Sequence, residues 1–192
     1  MVNIRRDTRN VVCMIIPDEK GRILLIKRGE PPKLGYWTVP EGHVKMGESI
    51  VEAARREALE EIEADITIYE GFALVITGMP NDYLEDEYAI KAEISGNRIG
   101  EHTFQVLNEV PFLVREPDDE RFKNYIYIVA RIGREPRITP EAQAILWISP
   151  LDVIELSSKG KFKVEPTTLL MLKILHYKSL VDRLFKILSD LQ

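Results

Sequence analysis

Cysteine, histidine and long apolar stretches are scarce in this sequence, and each shortage excludes a class of protein. Cys13 is the only cysteine among 192 residues, so the sequence offers neither a disulfide nor a cysteine-based zinc site. The apolar residues around it predict a buried structural thiol. The three histidines, His43, His102 and His176, show no metal-binding spacing. No stretch approaches the roughly 18 consecutive apolar residues of a membrane span.

Positive charge is also in short supply. Lys and Arg number 26 against 31 Asp and Glu, and the net charge of −5 argues against nucleic acid as a partner. The start of the chain, MVNIRRDTRN, is too short and too charged for a signal peptide. We therefore expect a cytoplasmic protein with no membrane and no nucleic-acid partner. A hydrophobic content of 45% is enough for a full core, and we predict a single domain over residues 1–192.

The most informative stretch that is present is GHVKMGESIVEAARREALEEIEA, residues 42–64. Ser49 followed by Glu52 has the spacing of a capping box, and residues 50–63 contain neither proline nor glycine. The stretch therefore predicts a loop followed by a helix. At about 100° per residue, one face of this helix would turn to the core through Val51, Ala54, Ala58 and Ile62.

Three carboxylates, those of Glu57, Glu60 and Glu61, share another edge of the predicted helix. Like charges at this spacing cost about 0.2–0.5 kcal/mol per pair, and the last two also lie near the negative end of the helix dipole. The arrangement stabilises a helix poorly, but clustered carboxylates are the ligands that Mg²⁺ prefers. A solvated acidic face is the alternative interpretation of these residues alone.

The wider pattern resembles the signature of the Nudix hydrolase family, Gly-x5-Glu-x7-Arg-Glu-U-x-Glu-Glu-x-Gly-U, in which U is a bulky aliphatic residue. The positions that match are Gly42, Glu48, Arg56, Glu57, Glu60 and Glu61. Glu63 replaces the usual second glycine, and the aliphatic positions hold the small Ala58 and Ala64. Because a glycine there would end the helix in a left-handed conformation, Glu63 must either adopt that conformation or let the helix end differently.

The resemblance implies an α/β/α sandwich with a mixed β-sheet and an enzyme that hydrolyses a diphosphate linkage in a nucleoside diphosphate joined to another group. It implies Mg²⁺ or Mn²⁺, and Glu57, Glu60 and Glu61 as main metal ligands. Glu48 is a peripheral ligand candidate, and Glu41 is one through its backbone carbonyl. Arg56 would orient the carboxylates, and the expected substrate-binding residues are Arg28, Glu41 and His43.

The resemblance does not identify which carboxylate acts as the general base. Family members often use a signature glutamate or a carboxylate from a separate loop, so Glu57 and Glu60 are catalytic candidates within the helix. The acidic run before a predicted strand supplies loop candidates, of which Glu120 is taken as catalytic. The full set is Glu116, Asp118, Asp119 and Glu120, with Glu141 behind them.

The rest of the chain predicts strands at residues 10–16, 22–28, 36–40, 65–69, 72–77, 124–132 and 144–148. A short helix should begin at Pro150, since proline suits a first helical position. Residues 78–123 look like an insertion with structure of its own. Residues 167–192 predict a long helix whose heptad-like stripe would pack on the chain's own sheet or, alternatively, form a homodimer.

The substrate is a nucleotide-type small molecule whose identity these residues leave open. Pro80 lies sixteen residues beyond Ala64, a spacing that resembles the ADP-ribose pyrophosphatase subset. We therefore rank ADP-ribose-like sugar nucleotides first, followed by dinucleoside polyphosphates and noncanonical nucleoside triphosphates. A Nudix-like module that senses a nucleotide without cleaving it is the alternative.

Overall fold

The computed structural model describes residues 10–31, 33–78, 91–95 and 123–177. Its elements in chain order are β1 (Asn10–Ile15), β2 (Ile23–Arg28), β3 (Trp37–Thr38), β4 (Glu41–His43), α1 (Ile50–Ile62), β5 (Ile66–Gly78), β6 (Lys91–Ser95), β7 (Lys123–Ile132), β8 (Ala142–Ile148), α2 (Pro150–Ser158) and α3 (Pro166–Tyr177). No helix in these ranges is long and apolar enough to cross a membrane.

The strands form two sheets. The larger has the order β4-β1-β7-β5-β6, and the smaller has the order β3-β2-β8. Strands β1 and β7 run parallel, whereas the other pairs in both sheets are antiparallel. The predicted mixed sheet is confirmed.

Side chains that alternate along β1 divide the core into two layers. Val11, Cys13 and Ile15 pack in a cluster that includes residues of α2 and α3. Val12 and Met14 pack in the second cluster, with the alanines of α1. The sheets therefore lie between α1 on one side and α2 and α3 on the other, which is the α/β/α sandwich expected from the resemblance.

Helix α1 begins as predicted and turns a slightly different face to the core. Ser49 and Glu52 form both hydrogen bonds of the capping box. Val51 is only half-buried, so its predicted place in the core is wrong, and Ala53 is buried instead. Small alanines on two neighbouring stripes let the helix lie close to the sheet. Glu63 ends the helix in the left-handed conformation, with φ 48° and ψ 34°.

Two strand predictions are corrected by the pairing of β5 with β7. The stretches 65–69 and 72–77 belong to one strand, Ile66–Gly78, and the register with β7 shifts between Tyr69 and Ala73. Within the predicted insertion 78–123, residues Lys91–Ser95 form β6, which extends the sheet beside β5. The predicted terminal helix is described as α3 to Tyr177, and its continuation to residue 192 lies outside the described residues.

Candidate active site

Glycine is required at position 42 because a carboxylate lies directly against the backbone there. Strand β4 pairs with β1, with Gly42 opposite Val12, and this pairing holds β4 beneath α1. A Cβ at Gly42 would lie 1.9 Å from Cδ of Glu57 and 2.1 Å from its Oε1. The spacing between Gly42 and Glu57 in the sequence therefore reflects a contact in which the carboxyl group fills the place of a side chain.

Arg56 joins three of the signature glutamates. Its Nε donates to Oε1 of Glu48 at 2.8 Å and one terminal nitrogen donates to Oε2 of the same group at 3.0 Å. The other terminal nitrogen donates to Oε2 of Glu60 at 2.9 Å and also contacts Glu57. The backbone carbonyl of His43 accepts a further bond at 2.9 Å. These hydrogen bonds lower the pKa of Glu48 to about 2 and keep it charged.

Two carboxylates of α1 are buried. Glu57 is 8% exposed and Glu61 is 6% exposed. Burial raises the pKa of both groups, and nearby Glu41 adds to the effect on Glu61. Arg56 opposes the shift at Glu57, and Glu61 accepts a hydrogen bond from the backbone N–H of Glu41 at 2.8 Å. Glu60 stays exposed on the rim.

The side chain of Glu41 is also buried, which its position directly before the signature did not indicate. Its Oε1 accepts from Arg28 at 3.1 Å, and the thiol of Cys13 lies 3.5 Å from its Oε2. Burial, followed by the charge of Glu165, raises the pKa of Glu41 to about 7, while Arg28 opposes the shift. Cys13 is fully buried, as predicted. Nε of Arg28 is buried and has no hydrogen-bond partner among the described residues.

These residues line a cavity of about 380 Å³. Its cationic side chains are Arg28, Lys33, Lys45, Arg56 and Lys123. Its carboxylates are Glu41, Glu57, Glu60, Glu61, Glu141 and Glu165, and Val11, Gly42, His43 and Tyr125 complete the lining. Every expected site residue that the structure describes lines this cavity except Glu48, which is bonded to two lining residues, the side chain of Arg56 and the backbone N–H of Lys45.

The donor set suits a divalent cation, because several carboxylates converge on one cavity and three of them, Glu41, Glu57 and Glu61, are buried at the cost of raised pKa values. In the conformation seen, no group of three acidic, cysteine or histidine side chains within the described ranges is placed to hold a metal ion. Glu57 and Glu60 are bonded to Arg56, and Glu61 is bonded to the backbone of Glu41. To hold a cation together, these carboxylates therefore have to move closer to one another than they lie here.

Among the loop carboxylates, Glu141 lies in the cavity, and its charge contributes to the raised pKa of Glu57. Glu116, Asp118, Asp119 and Glu120 lie outside the described residues, so the expected catalytic role of Glu120 stays a prediction.

Sequence reasoning missed an ion pair in the lining of the cavity. Nζ of Lys33 lies 2.7 Å from Oε1 of Glu165, although the two residues are 132 positions apart. The sequence Glu165-Pro166 before an apolar stretch is a signal for a helix start, since proline favours the first helical position. Nothing in the sequence pairs that start with Lys33.

Known proteins resemble this chain in sequence. A family model described as NUDIX domain matches residues 7–168. The chain belongs to the Nudix family. Nucleoside triphosphatase NudI of Escherichia coli strain K12 is 28% identical over 151 residues, which cover 76% of this chain and 85% of that protein.

A second Nudix relative matches the chain over a shorter stretch. The 8-oxo-dGDP phosphatase NUDT18 of Homo sapiens is 37% identical over 60 residues, 31% of this chain, and the match spans only 19% of that protein. The crystal structure of the MutT protein from Methanosarcina mazei Go1 superposes with a TM-score of 0.54 at 17% identity, covering 88% of this chain and 94% of that one. This structure confirms the fold. Membership of the Nudix family supports the expected enzyme class, a pyrophosphohydrolase.

Proposed function

We propose that this Nudix chain hydrolyses a diphosphate linkage in a nucleoside polyphosphate or a related nucleotide, with Mg²⁺ or Mn²⁺ as cofactor. The observation that carries the proposal is the carboxylate cluster around Gly42. Glu57 lies against the glycine backbone, Glu61 is buried beside it, and Arg56 joins Glu57 to Glu48 and Glu60. A binding module that does not cleave its ligand has no need for so many adjacent carboxylates, which oppose folding when no metal is present.

Each residue has a proposed part in the reaction. Glu57, Glu60 and Glu61 hold the cation, which when bound neutralises phosphoryl oxygens and lowers the pKa of a water. Glu48 fixes Arg56, which positions the carboxylates. The backbone carbonyl of Glu41 remains a candidate ligand. Nε of Arg28 is buried and has no hydrogen-bond partner in the described part of the chain, so this group is suited to donate to a phosphate oxygen.

Either Glu57 or Glu141 would take the proton from the attacking water. Glu141 replaces Glu120 as the loop candidate that we favour, because it lies in the cavity near Glu57. His43 contributes its backbone carbonyl to the arrangement of Arg56 and borders the cavity, which supports a role beside the phosphates.

The substrate ranking changes with the relatives. NudI is named a nucleoside triphosphatase and NUDT18 an 8-oxo-dGDP phosphatase, so we place nucleoside di- and triphosphates beside the ADP-ribose-like sugar nucleotides that the spacing of Pro80 favours. Pro80 itself lies outside the described residues. The cytoplasmic location and the homodimer stay predictions.

The test follows cleavage of ADP-ribose, other nucleotide sugars, diadenosine polyphosphates and nucleoside triphosphates by chromatography of the nucleotide products, with and without Mg²⁺. Products are separated because cleavage of a nucleotide sugar at its diphosphate yields two phosphomonoesters and no free phosphate. We expect turnover of one class, and its loss when Glu60 and Glu61 are both changed to Gln. Glu63→Gln is the matched control, since Glu63 ends the same helix and is exposed. Tight binding without turnover of any compound would replace the hydrolase with the sensor.

A further inference from the structure

The carboxylate of Glu41, directly before the signature glycine, has one strong partner. Its Oε1 accepts from Nη1 of Arg28 at 3.1 Å, and the side chain of Glu41 is only 7% exposed. Its Oε2 lies 3.5 Å from the thiol of Cys13, and a thiol is a weak donor. Because a buried carboxylate needs a charged partner to offset its desolvation, the bond to Arg28 is the main one that this group makes.

The backbone of Glu41 is fixed as well. In the pairing of β4 with β1, Glu41 lies opposite Cys13. Its N–H donates to Oε2 of Glu61 at 2.8 Å, which ties the residue to a proposed metal ligand on α1. Glu41 therefore has a fixed position between strand β1 and helix α1, and its carboxylate can hold another group in place.

The group that it holds is the end of a long side chain. The backbone of Arg28 is already bonded, since its N–H donates to the carbonyl of Tyr36 at 2.9 Å and its carbonyl accepts from the N–H of Gly35 at 2.9 Å. Beyond that backbone, an arginine side chain keeps several free rotations. The bond to Glu41 selects one arrangement of the guanidinium among them.

This bond leaves one edge of the guanidinium open. The five N–H donors of arginine lie in one plane, and Nε and Nη2 form a fork on the edge opposite Nη1. Among the described residues, Glu41 is the only hydrogen-bond partner of the Arg28 side chain, which lines the cavity. Two parallel N–H groups match two oxygens of a phosphate, so the open fork suits bidentate phosphate binding.

We propose that the side chain of Glu41 is a positioning residue, which holds Nη1 of Arg28 so that the Nε–Nη2 fork stays available to a phosphate of the substrate. This inference rests on the proposed function, in which Arg28 donates to a phosphate oxygen. The carboxylate acts through Arg28, and we favour this role over the direct substrate contact that the resemblance implied. It is also separate from the candidate role of Glu41 as a metal ligand, which uses the backbone carbonyl.

The test is a double-mutant cycle that measures kcat/KM for the best substrate. Its variants are Glu41→Ala, Arg28→Met and the combination of both. Glu30→Ala is the matched control, since Glu30 is exposed two residues after Arg28 and does not line the cavity. Thermal unfolding checks that each variant is folded. Where Glu41→Ala does not fold, Glu41→Gln takes its place, because an amide keeps the shape of the side chain and removes the ion pair.

We expect Glu41→Ala to lower kcat/KM at least about tenfold, or Glu41→Gln at least about threefold, the scale of a hydrogen bond to a charged group. Arg28→Met should lower it at least about 100-fold, the scale of a lost donor to the reacting group. The double variant should lie within about twofold of Arg28→Met, because Glu41 has no effect once the fork is gone. Glu30→Ala should stay within about twofold of the wild type. Losses that multiply in the double variant, or a Glu41 variant without loss, would overturn the inference.

The dependence on Mg²⁺ separates positioning of Arg28 from metal binding. The Mg²⁺ concentration that gives half-maximal turnover should change by less than about twofold in the Glu41 variant, whereas loss of a group that supports the metal raises it about tenfold or more. A shift beyond twofold would show that the carboxylate of Glu41 acts on the cation, and would overturn the inference.

Binding gives a separate readout if the wild type turns over no substrate. Calorimetric titration with ADP in the presence of Mg²⁺ then measures Kd for the wild type and the same variants. If each single variant weakens binding at least about fivefold and the double variant binds like Arg28→Met, the positioning role stands although the proposed hydrolysis fails. Losses that multiply, a Glu41 variant that binds like the wild type, or a wild type that does not bind ADP would reject it.

Discussion

At Gly42, a single methyl group would occupy the space of the Glu57 carboxyl group. We predict that Gly42→Ala lowers kcat/KM by at least about 100-fold, because a displacement of a proposed metal ligand by an ångström is enough for an effect of that size. The measurement is Mg²⁺-dependent turnover of the best substrate, with the unfolding temperature recorded to show that the fold persists.

The matched control is Gly133→Ala. A Cβ at Gly133 would meet its nearest neighbour, the carbonyl oxygen of Asp65, at 3.8 Å, which is ordinary contact. This variant should keep activity near that of the wild type. If Gly42→Ala retained full activity, the carboxyl group of Glu57 could not be needed in its observed position.

Individual residues were predictable from the sequence only where their partners lie nearby in the chain. The spacing of Arg56 and the signature glutamates indicated one cluster. The helix brings Arg56, Glu57, Glu60 and Glu61 together within two turns, and Glu48 joins Arg56 from the loop before the helix. The burial of Glu41 depends on the pairing of β4 with β1, and the contact of Lys33 with Glu165 depends on how α3 meets the loop after β2. Such contacts come from tertiary structure, and composition and spacing carry no signal for them.

Among the elements, the C-terminal end of α1 stores backbone strain. Glu63 adopts φ 48° and ψ 34°, a conformation that costs a residue with a Cβ about 1 kcal/mol relative to glycine. We predict that Glu63→Gly raises the free energy of unfolding by about 1 kcal/mol and the unfolding temperature by about 2–4 °C. The side chain contributes little, since its contact with Arg137 is 3.8 Å long between exposed groups.

The variant Glu63→Ala separates the backbone from the side chain. Alanine loses the same contact with Arg137 but keeps a Cβ in the left-handed conformation, so its stability should stay near that of the wild type. Thermal or urea unfolding of the two variants is sufficient. Equal stability of both variants would mean that the backbone conformation is not strained.

The existence of helices and strands was predicted better than the residues at which they begin and end. The helix α1 followed from a capping box and an unbroken run of helix formers, and the strands β1, β2 and β7 from continuous apolar runs. Strand β5 was divided wrongly, because a glycine at position 71 reads as a break in the sequence, whereas pairing with β7 carries the strand across residues 70–72 with a shift in register. Strand β6 had no prediction of its own, since only its place beside β5 marks it as a strand.

The architecture of the whole molecule came from the resemblance, and periodicity alone would have left it open. The parallel pairing of β1 with β7 joins segments more than 100 residues apart, from Asn10 opposite Asn124 to Ile15 opposite Val129. An apolar strand buried on both faces is compatible with several neighbours. Its actual neighbours bring β4, α1 and the start of α3 to one cavity, so the site is a product of the complete fold.

Because this site gathers buried carboxylates, it should set the pH dependence of stability of the whole molecule. The pKa of Glu41 is raised to about 7, and the pKa values of Glu57 and Glu61 are also raised above the ordinary 4.5. The folded protein therefore retains protons that the unfolded chain releases as pH rises above about 4.5. Linkage then requires stability to fall with rising pH through this window, up to the folded pKa values.

Other titratable groups change the stability at lower pH, or change it in the opposite direction. Glu48 and Asp18 have lowered pKa values, so their contribution is complete above about pH 4.5 and is lost only in more acidic solution. Partial burial and the charges of Lys123 and Arg28 lower the pKa of His43, which makes the protein less stable as pH falls below 6.5. The descending trend should therefore be clearest between about pH 6 and 8.

We predict that, without metal, the unfolding temperature falls from pH 6 to pH 8, and that saturating Mg²⁺ raises it more at pH 8 than at pH 6. Protons and the cation compete for the same carboxylates, and fewer protons remain at the higher pH. Glu41→Gln should flatten the metal-free trend, because it removes the group whose pKa lies inside the window, whereas the exposed Glu63→Gln should not. Differential scanning calorimetry with EDTA or with Mg²⁺ measures the unfolding temperature at each pH. An Mg²⁺ effect that is equal at both pH values would show that the buried carboxylates do not bind the cation.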